Sequence, residues 1–254
     1  MMSMKGRVAL VTGGSYGLGE ATATLLASRG ALVALSARSV SDLERVAKKI
    51  RADGGHALVV PCDVRDAVQV EQMVARAIEE WGRLDVLINN AGLGTPNVPV
   101  EKTSLEEWDS TLDFNLKSAF LCTRATVPIM KKQAYGRIVN VSSFAGRNFS
   151  RFLGSPYSAA KAGMIGFTRH MAMELGPYGI CVNVIAPTLI LTKRAKVMWE
   201  ALSEEERQNI ISRIPLRRLA KVEEVAATIA FLASDDASYL NGVCLDVNGG
   251  SYMA

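Results

Sequence analysis

Histidine is scarce in this chain: only His56 and His170 occur in 254 residues, and neither has a second His or Cys at ligand spacing, which argues against a bound catalytic metal. The four cysteines, Cys62, Cys122, Cys181 and Cys244, stand far apart with no Cys-x-x-Cys pair. Each lies in or beside an apolar run typical of buried free thiols, which points to a reducing cytoplasm rather than a disulfide framework. No apolar stretch approaches the ~18 residues of a membrane span, and residues 1–6 run into a strand pattern without an apolar signal core. A soluble, unprocessed protein is expected. Linkers, low-complexity tracts and repeats are also missing, so one domain over residues 1–254 is the expectation. Lys and Arg (29) exceed Asp and Glu (25) by four and are scattered through acidic helices rather than grouped, which speaks against a nucleic-acid partner.

What is present is ordinary globular composition, 49% hydrophobic and 21% charged, with enough length to bury a full core. Short β-branched or aliphatic runs at 8–11, 32–35, 58–60, 86–88, 138–141, 182–185 and 244–247 alternate with long amphipathic segments. Capping boxes are expected at Ser41 with Glu44, Ser104 with Glu107 and Ser203 with Glu206, and helix stops at Gly30, Gly54, Gly55 and Gly82. Strands apolar on both faces and alternating with helices call for a doubly wound α/β fold of Rossmann type: a seven-stranded parallel sheet with helices on both faces. The segment 192–216 mixes apolar Val197, Met198 and Trp199 with charge; it is either a surface helix pair or a lid over substrate, and its place after a strand's carboxyl end favours the lid.

The turn after the first strand reads Thr12-Gly13-Gly14-Ser15-Tyr16-Gly17-Leu18-Gly19 and opens the first helix. Backbone N–H groups and the helix dipole there can receive a pyrophosphate, and bulky side chains would obstruct it. At the end of the second strand, Ala37 stands where an NAD-specific fold places an acidic residue for the ribose 2′-hydroxyl. Arg38 and Ser39 follow, a cation and a hydroxyl suited to a 2′-phosphate, so NADP(H) is expected in preference to NAD(H). Further on, Tyr157 and Lys161 are four residues apart, on one face of a helix, where the ammonium can bias the phenol toward ionisation.

These motifs, in this order, resemble the short-chain dehydrogenase/reductase family in its single-domain form, over essentially the whole chain. The resemblance rests on the Gly-x-x-x-Gly-x-Gly turn, Asp63-Val64, Asn89-Asn90-Ala91-Gly92, Asn115, Ser143, Tyr157-x-x-x-Lys161, and Pro187 with Thr192. It implies that Tyr157 is the general acid and base, lowered by Lys161 and by the oxidised nicotinamide. Lys161 would also hold the nicotinamide ribose, Ser143 the reacting oxygen, and Asn115 a water linking Lys161 to solvent. Ser142 competes with Ser143, which is chosen because Phe144-Ala145-Gly146 follows it. Gly13, Ser15, Tyr16, Gly17, Leu18, Gly19, Arg38, Ser39, Asp63, Val64, Asn90, Ala91, Gly92, Pro187, Ile190 and Thr192 complete the expected cofactor contacts with Tyr157 and Lys161. Thr188 departs from the family's usual Pro-Gly and would resist a positive-φ turn, so either the turn is of another type or the backbone near the nicotinamide shifts.

Residues 147–152 lie between Ser143 and Tyr157 and should border the substrate. Arg147, Phe149 and Arg151 either form an apolar wall with an anion clamp for a small-molecule ketone or secondary alcohol that carries an anion, or the arginines turn outward into solvent or an interface. Within the family, 3-oxoacyl-carrier-protein reductase and sugar or polyol dehydrogenase are the leading readings. Ala134 and Tyr178 stand where carrier-protein reductases often have basic docking residues, although Lys131 and Lys132 are close, and a generic NADP-dependent carbonyl reductase or alcohol dehydrogenase is preferred. A non-catalytic dinucleotide sensor would have no chemical need of Asn115, Ser143, Tyr157 and Lys161 together. The helix from 156 to 175, apolar on more than one face, and its neighbour at 105–130 suggest a homotetramer by resemblance.

Overall fold

A computed structural model describes residues 3–253, with the side chains of Lys193 and Arg194 outside the description. Seven strands form one sheet: β1 (Val8–Thr12), β2 (Leu32–Ala37), β3 (His56–Pro61), β4 (Val86–Asn89), β5 (Gly136–Val141), β6 (Ile180–Pro187) and β7 (Cys244–Val247). Their order is β3-β2-β1-β4-β5-β6-β7 and every pairing is parallel. The period of two sends alternate residues of β1 to opposite sides. Ala9 and Val11 join a core with Leu26, Val46 and Ile229, while Val8 and Leu10 join one with Val74, Cys122 and Leu175. Each such aliphatic side chain, removed wholly from water, stabilises the fold by about 1.5–3 kcal/mol.

The first core is covered by α1 (Gly17–Ser28), α2 (Val40–Ala52) and α9 (Val222–Leu232), the second by α3 (Ala67–Trp81), α5 (Ser118–Gln133) and α6 (Ser155–Leu175). The chain leaves β1 toward β3, then crosses back to β4 and runs toward β7, so β1 and β4 flank the switch point where such sheets open a crevice. Gly30, Gly54 and Gly82 stand at the ends of α1, α2 and α3. The capping box at Ser203 and Glu206 forms completely, and Ser104 accepts from Glu107 N at 3.0 Å. The expected box at Ser41 does not: Ser39 is the extended residue before α2 and its hydroxyl accepts from Asp42 N, so the helix starts a half-turn earlier.

The helical stretch expected at 105–130 is broken into α4 (Leu105–Leu112), a π turn (Asp113–Lys117) and α5. Between β6 and α9, residues 192–216 form two helices, α7 (Lys193–Glu200) and α8 (Glu204–Ser212). Cys62 and Cys122 are buried, whereas Cys181 and Cys244 are only half-buried; all four thiols are free. No helix among the described residues is long and apolar enough to cross a membrane.

Candidate active site

The crevice at the carboxyl ends of β1 and β4 is a cleft of about 1300 Å³. Its floor is the turn between β1 and α1, which Gly19 allows to fold this tightly: a Cβ there would lie 2.1 Å from the Gly13 carbonyl oxygen. Tyr16 occupies the N-cap of α1 but makes no side-chain cap bond, whereas the N-caps of α2, α3, α4, α7 and α8 all accept from their own first turns. The first N–H groups of α1 therefore lack a side-chain partner beside a cleft lined by Gly13, Ser15, Tyr16, Gly17, Leu18 and Gly19, as a pyrophosphate requires. Arg45 braces the turn from outside, donating to Ser15 O at 2.8 Å and to both Glu20 carboxylate oxygens.

One wall carries Arg38, Ser39, Asp63 and Val64, and the opposite one Asn90, Ala91, Gly92, Pro187, Ile190 and Thr192, so every expected cofactor contact faces the same cleft. Arg38 makes no close ion pair among the described residues; its guanidinium lies 5.9 Å from the Phe114 ring centre. Asp63 is bonded by Arg65, whose guanidinium holds the carboxyl below its ordinary range despite partial burial. Asp42, in the first turn of α2, also lines this end of the cleft, an acidic group the sequence reading did not weigh. Asn90 Nδ2 donates to Thr12 O at 2.9 Å, tying β4 to the glycine turn. Thr188 does not take a positive φ, and its N–H donates to Val247 O at 3.2 Å: the turn after β6 is of another type.

Ser143, Tyr157 and Lys161 meet deep in the cleft. Ser143 caps a short 3₁₀ turn (Phe144–Gly146), its hydroxyl accepting from Ala145 N at 3.2 Å, and it stands beside the Tyr157 phenol. Ser142 also lines the cleft and donates to Lys161 O at 2.7 Å, which makes it a strut for α6. Lys161 Nζ donates to Val141 O at 2.8 Å and sits 5.6 Å from the Tyr157 ring centre. Complete burial pushes this ammonium down to about 8. The expected lowering of Tyr157 by Lys161 is not found in the chain alone: burial raises the phenol, and only the Ser143 hydrogen bond opposes it. Spacing brought the two side chains together, but desolvation sets the direction of the shift.

Asn115 stands on the π turn between α4 and α5. The π turn swings its amide into the interior, where Oδ1 accepts from Leu93 N at 3.0 Å and Nδ2 donates to Leu93 O and Thr111 O, each at 2.9 Å. With these bonds the side chain holds the loop after β4. Gly92 lies between the groups: a Cβ on it would come 3.0 Å from Asn115 Oδ1 and 3.1 Å from Lys161 Nζ.

Phe149 and Arg151 line the outer cleft, but Arg147 does not. Its guanidinium forks onto the Asp246 carboxylate of β7 at 3.0 and 3.3 Å and lies 5.1 Å from the Tyr252 ring, with side-chain exposures of 15% for Arg147 and 20% for Asp246. A half-buried carboxylate has taken the cation that the sequence assigned to substrate. The residues missed are on α7, α8 and the turns that follow them, where Met198, Trp199, Leu202 and Arg213 line the cleft and Val197 does not. Their only signal was the apolar patch within a charged segment. Among the described residues no group of three or more His, Cys, Asp or Glu could hold a metal.

A family model described as enoyl-(acyl carrier protein) reductase matches residues 13–252. The chain is 42% identical over 259 residues to the 3-oxoacyl-(acyl-carrier-protein) reductase of Synechocystis sp., covering 100% of both. It is 38% identical over 252 residues to the corresponding FabG reductase of Escherichia coli (strain K12), covering 99% of this chain and 100% of that one. Among solved structures, levodione reductase superposes with a TM-score of 0.92 at 37% identity, covering 97% of each chain.

Proposed function

The chain belongs to the short-chain dehydrogenase/reductase family of oxidoreductases, which act on CH–OH and C=O groups, and on that premise we propose that it interconverts a small-molecule ketone and a secondary alcohol with NADP(H) in preference to NAD(H). The observation that carries this reading is the meeting of Ser143, Tyr157 and Lys161 in the cleft that begins at the uncapped start of α1. The bound dinucleotide supplies or accepts the hydride. Ser143 and Tyr157 hold the carbonyl oxygen through their hydroxyls, and Tyr157 passes its proton to that oxygen as negative charge grows on it. In the oxidative direction the phenolate takes the proton back. Lys161, fixed by Val141 O, steadies the phenolate and returns a proton from solvent, while Asn115 positions the loop that carries Gly92. Arg38 and Ser39 favour the 2′-phosphate, Arg38 forming no close ion pair among the described residues.

The proposal extends to one catalytic domain over 1–254 with residues 192–216 as its lid, in the cytoplasm, with an anionic substrate met by Arg151. A homotetramer is supported by apolar side chains left outside on α4, α5 and α6: Trp108 at 37%, Phe120 at 44% and Met173 at 83% exposure. Light scattering tests the assembly. A second reading, 3-oxoacyl-carrier-protein reductase, is favoured by the two relatives and by Lys131, whose Nζ lies 4.3 Å from the Tyr178 ring centre and places a cation beside one expected docking position.

Initial rates with NADPH and NADH against ketones and a 3-oxoacyl thioester, with Tyr157→Phe as blank, test both readings. Tyr157-dependent oxidation of NADPH faster than of NADH is expected. Preference for NADH would overturn the cofactor assignment, and equal rates for wild type and Tyr157→Phe would overturn the role of the tyrosine. A thioester faster than every free ketone would establish the second reading.

A further inference from the structure

The outer half of the cleft is lined chiefly by apolar side chains. Phe149, Phe152 and Leu153 come from the segment between Ser143 and Tyr157, and Met198, Trp199 and Leu202 from α7 and the turn after it. The wall on the helix side is pre-assembled: Arg207 of α8 donates to Trp199 O and Glu200 O, each at 3.0 Å, closing the end of α7 onto α8. Polar side chains do reach this half, but several of their acceptors are engaged by neighbouring chain. Asn148 Oδ1 accepts from Phe149 N, and Ser150 Oγ from Phe152 N and Leu153 N. Glu206 closes the capping box on Ser203 N at 2.7 Å, and Asn209 Oδ1 accepts from Arg213 Nε at 3.1 Å.

A polyhydroxylated substrate would lose its water here and meet few free acceptors, which is costly, whereas an alkyl or aryl body gains by leaving water. Two groups in this half keep strong donors: Arg151 and Arg213, neither of which forms an ion pair among the described residues. Resting on the ketone-reductase reading above, we propose that the substrate carries its oxo group on an apolar alkyl or aryl body with an anionic end received by Arg151 and Arg213, and is not a sugar or polyol. Arg213, on the last turn beyond α8, is then a specificity-determining residue that selects for the anion without touching the reacting atoms.

The test uses the wild-type chain with NADPH and three sets of substrates: linear oxo carboxylates of increasing length, their methyl esters, and ketoses of matched carbon number. The catalytic efficiency kcat/KM is expected to rise about threefold to fourfold per added methylene, the value of a buried CH₂, until the chamber is filled. The carboxylate is expected to exceed its methyl ester by about tenfold, the scale of a charge-assisted hydrogen bond, and Arg213→Gln to reduce that ratio below about threefold. An oxo phosphate arm distinguishes the two anion classes: whichever gives the larger advantage over its neutral ester identifies the natural end group. Ketoses faster than the oxo acids, no dependence on chain length, or esters equal to carboxylates would overturn the inference while Tyr157-dependent turnover leaves the parent reading standing. Loss of Tyr157 dependence with every substrate would overturn both.

Discussion

Replacing Lys161 by Met should make the cofactor-free protein more stable at neutral pH while removing its activity. The ammonium is completely buried and pushed from its ordinary 10.5 to about 8, so below pH 8 the folded chain carries a charge that burial disfavours by about 3 kcal/mol, at ~1.4 kcal/mol per tenfold change in proton affinity. The unfolded chain keeps this proton up to pH 10.5, and between the two values it binds more protons than the folded chain, so the lysine's penalty fades as pH rises. Methionine has a similar unbranched shape and no charge, but it forfeits the hydrogen bond to Val141 O, worth about 1 kcal/mol. Lys161→Met should therefore be about 2 kcal/mol more stable than wild type at pH 7, or about 4 °C in Tm for a chain of this size. By pH 10.5 the order should reverse, with Met about 1 kcal/mol the less stable. Thermal unfolding of both proteins from pH 6.5 to 10.5, without cofactor, measures the difference, because the other titrating groups are common to the two chains. A Met variant less stable at pH 7, or a difference that does not change with pH, would refute the desolvation argument.

Arg147→Ala leaves the half-buried Asp246 carboxylate without its fork of hydrogen bonds and should cost about 2 kcal/mol; chemical denaturation should show Asp246→Asn in the same chain recovering part of it. The same Arg147 variant should slow a neutral ketone and its anionic analogue by equal factors, whereas a selective loss of the anion would return this arginine to the substrate site. Arg38→Ala should weaken binding of 2′,5′-ADP by about tenfold relative to 5′-AMP in a calorimetric titration. Asp42→Asn, which removes the acidic group at the same end of the cleft, should strengthen 2′,5′-ADP. Gly19→Ala puts a Cβ 2.1 Å from the Gly13 carbonyl oxygen, where only backbone could yield, so the purified variant should lose dinucleotide binding by fluorescence titration and about 1–3 kcal/mol of stability. Because burial raises Tyr157, alcohol oxidation should climb with pH as the phenol ionises, and carbonyl reduction should fall over the same range; coincident profiles would remove Tyr157 from both roles.

The sequence by itself determined the architecture, because the patterns that specify it are local. Alternating aliphatic runs such as 8–11 and 138–141 must bury both faces, long amphipathic stretches must cover them, and the order of the two requires parallel crossovers. It also determined which residues would share a cleft, since each motif sits just after a strand and a parallel sheet brings those ends to one edge: Gly13, Arg38, Asp63, Asn90, Ser143 and Pro187 all line it. Only tertiary structure decided what each polar side chain does there. Arg147 finds Asp246 across 99 residues of chain, and Asn115 finds Leu93 across 22, partners that no local spacing encodes. The sign of the Tyr157 shift was likewise beyond reach. A four-residue spacing states that Lys161 is near, but not that both groups are buried or that Val141 O holds the ammonium. The apolar outer chamber came from α7 and α8, which bring Met198, Trp199 and Arg213 to the lining of the cleft and leave Val197 out of it. Periodicity and turn chemistry act over a few residues, whereas desolvation and hydrogen-bond partnership depend on everything packed around a group.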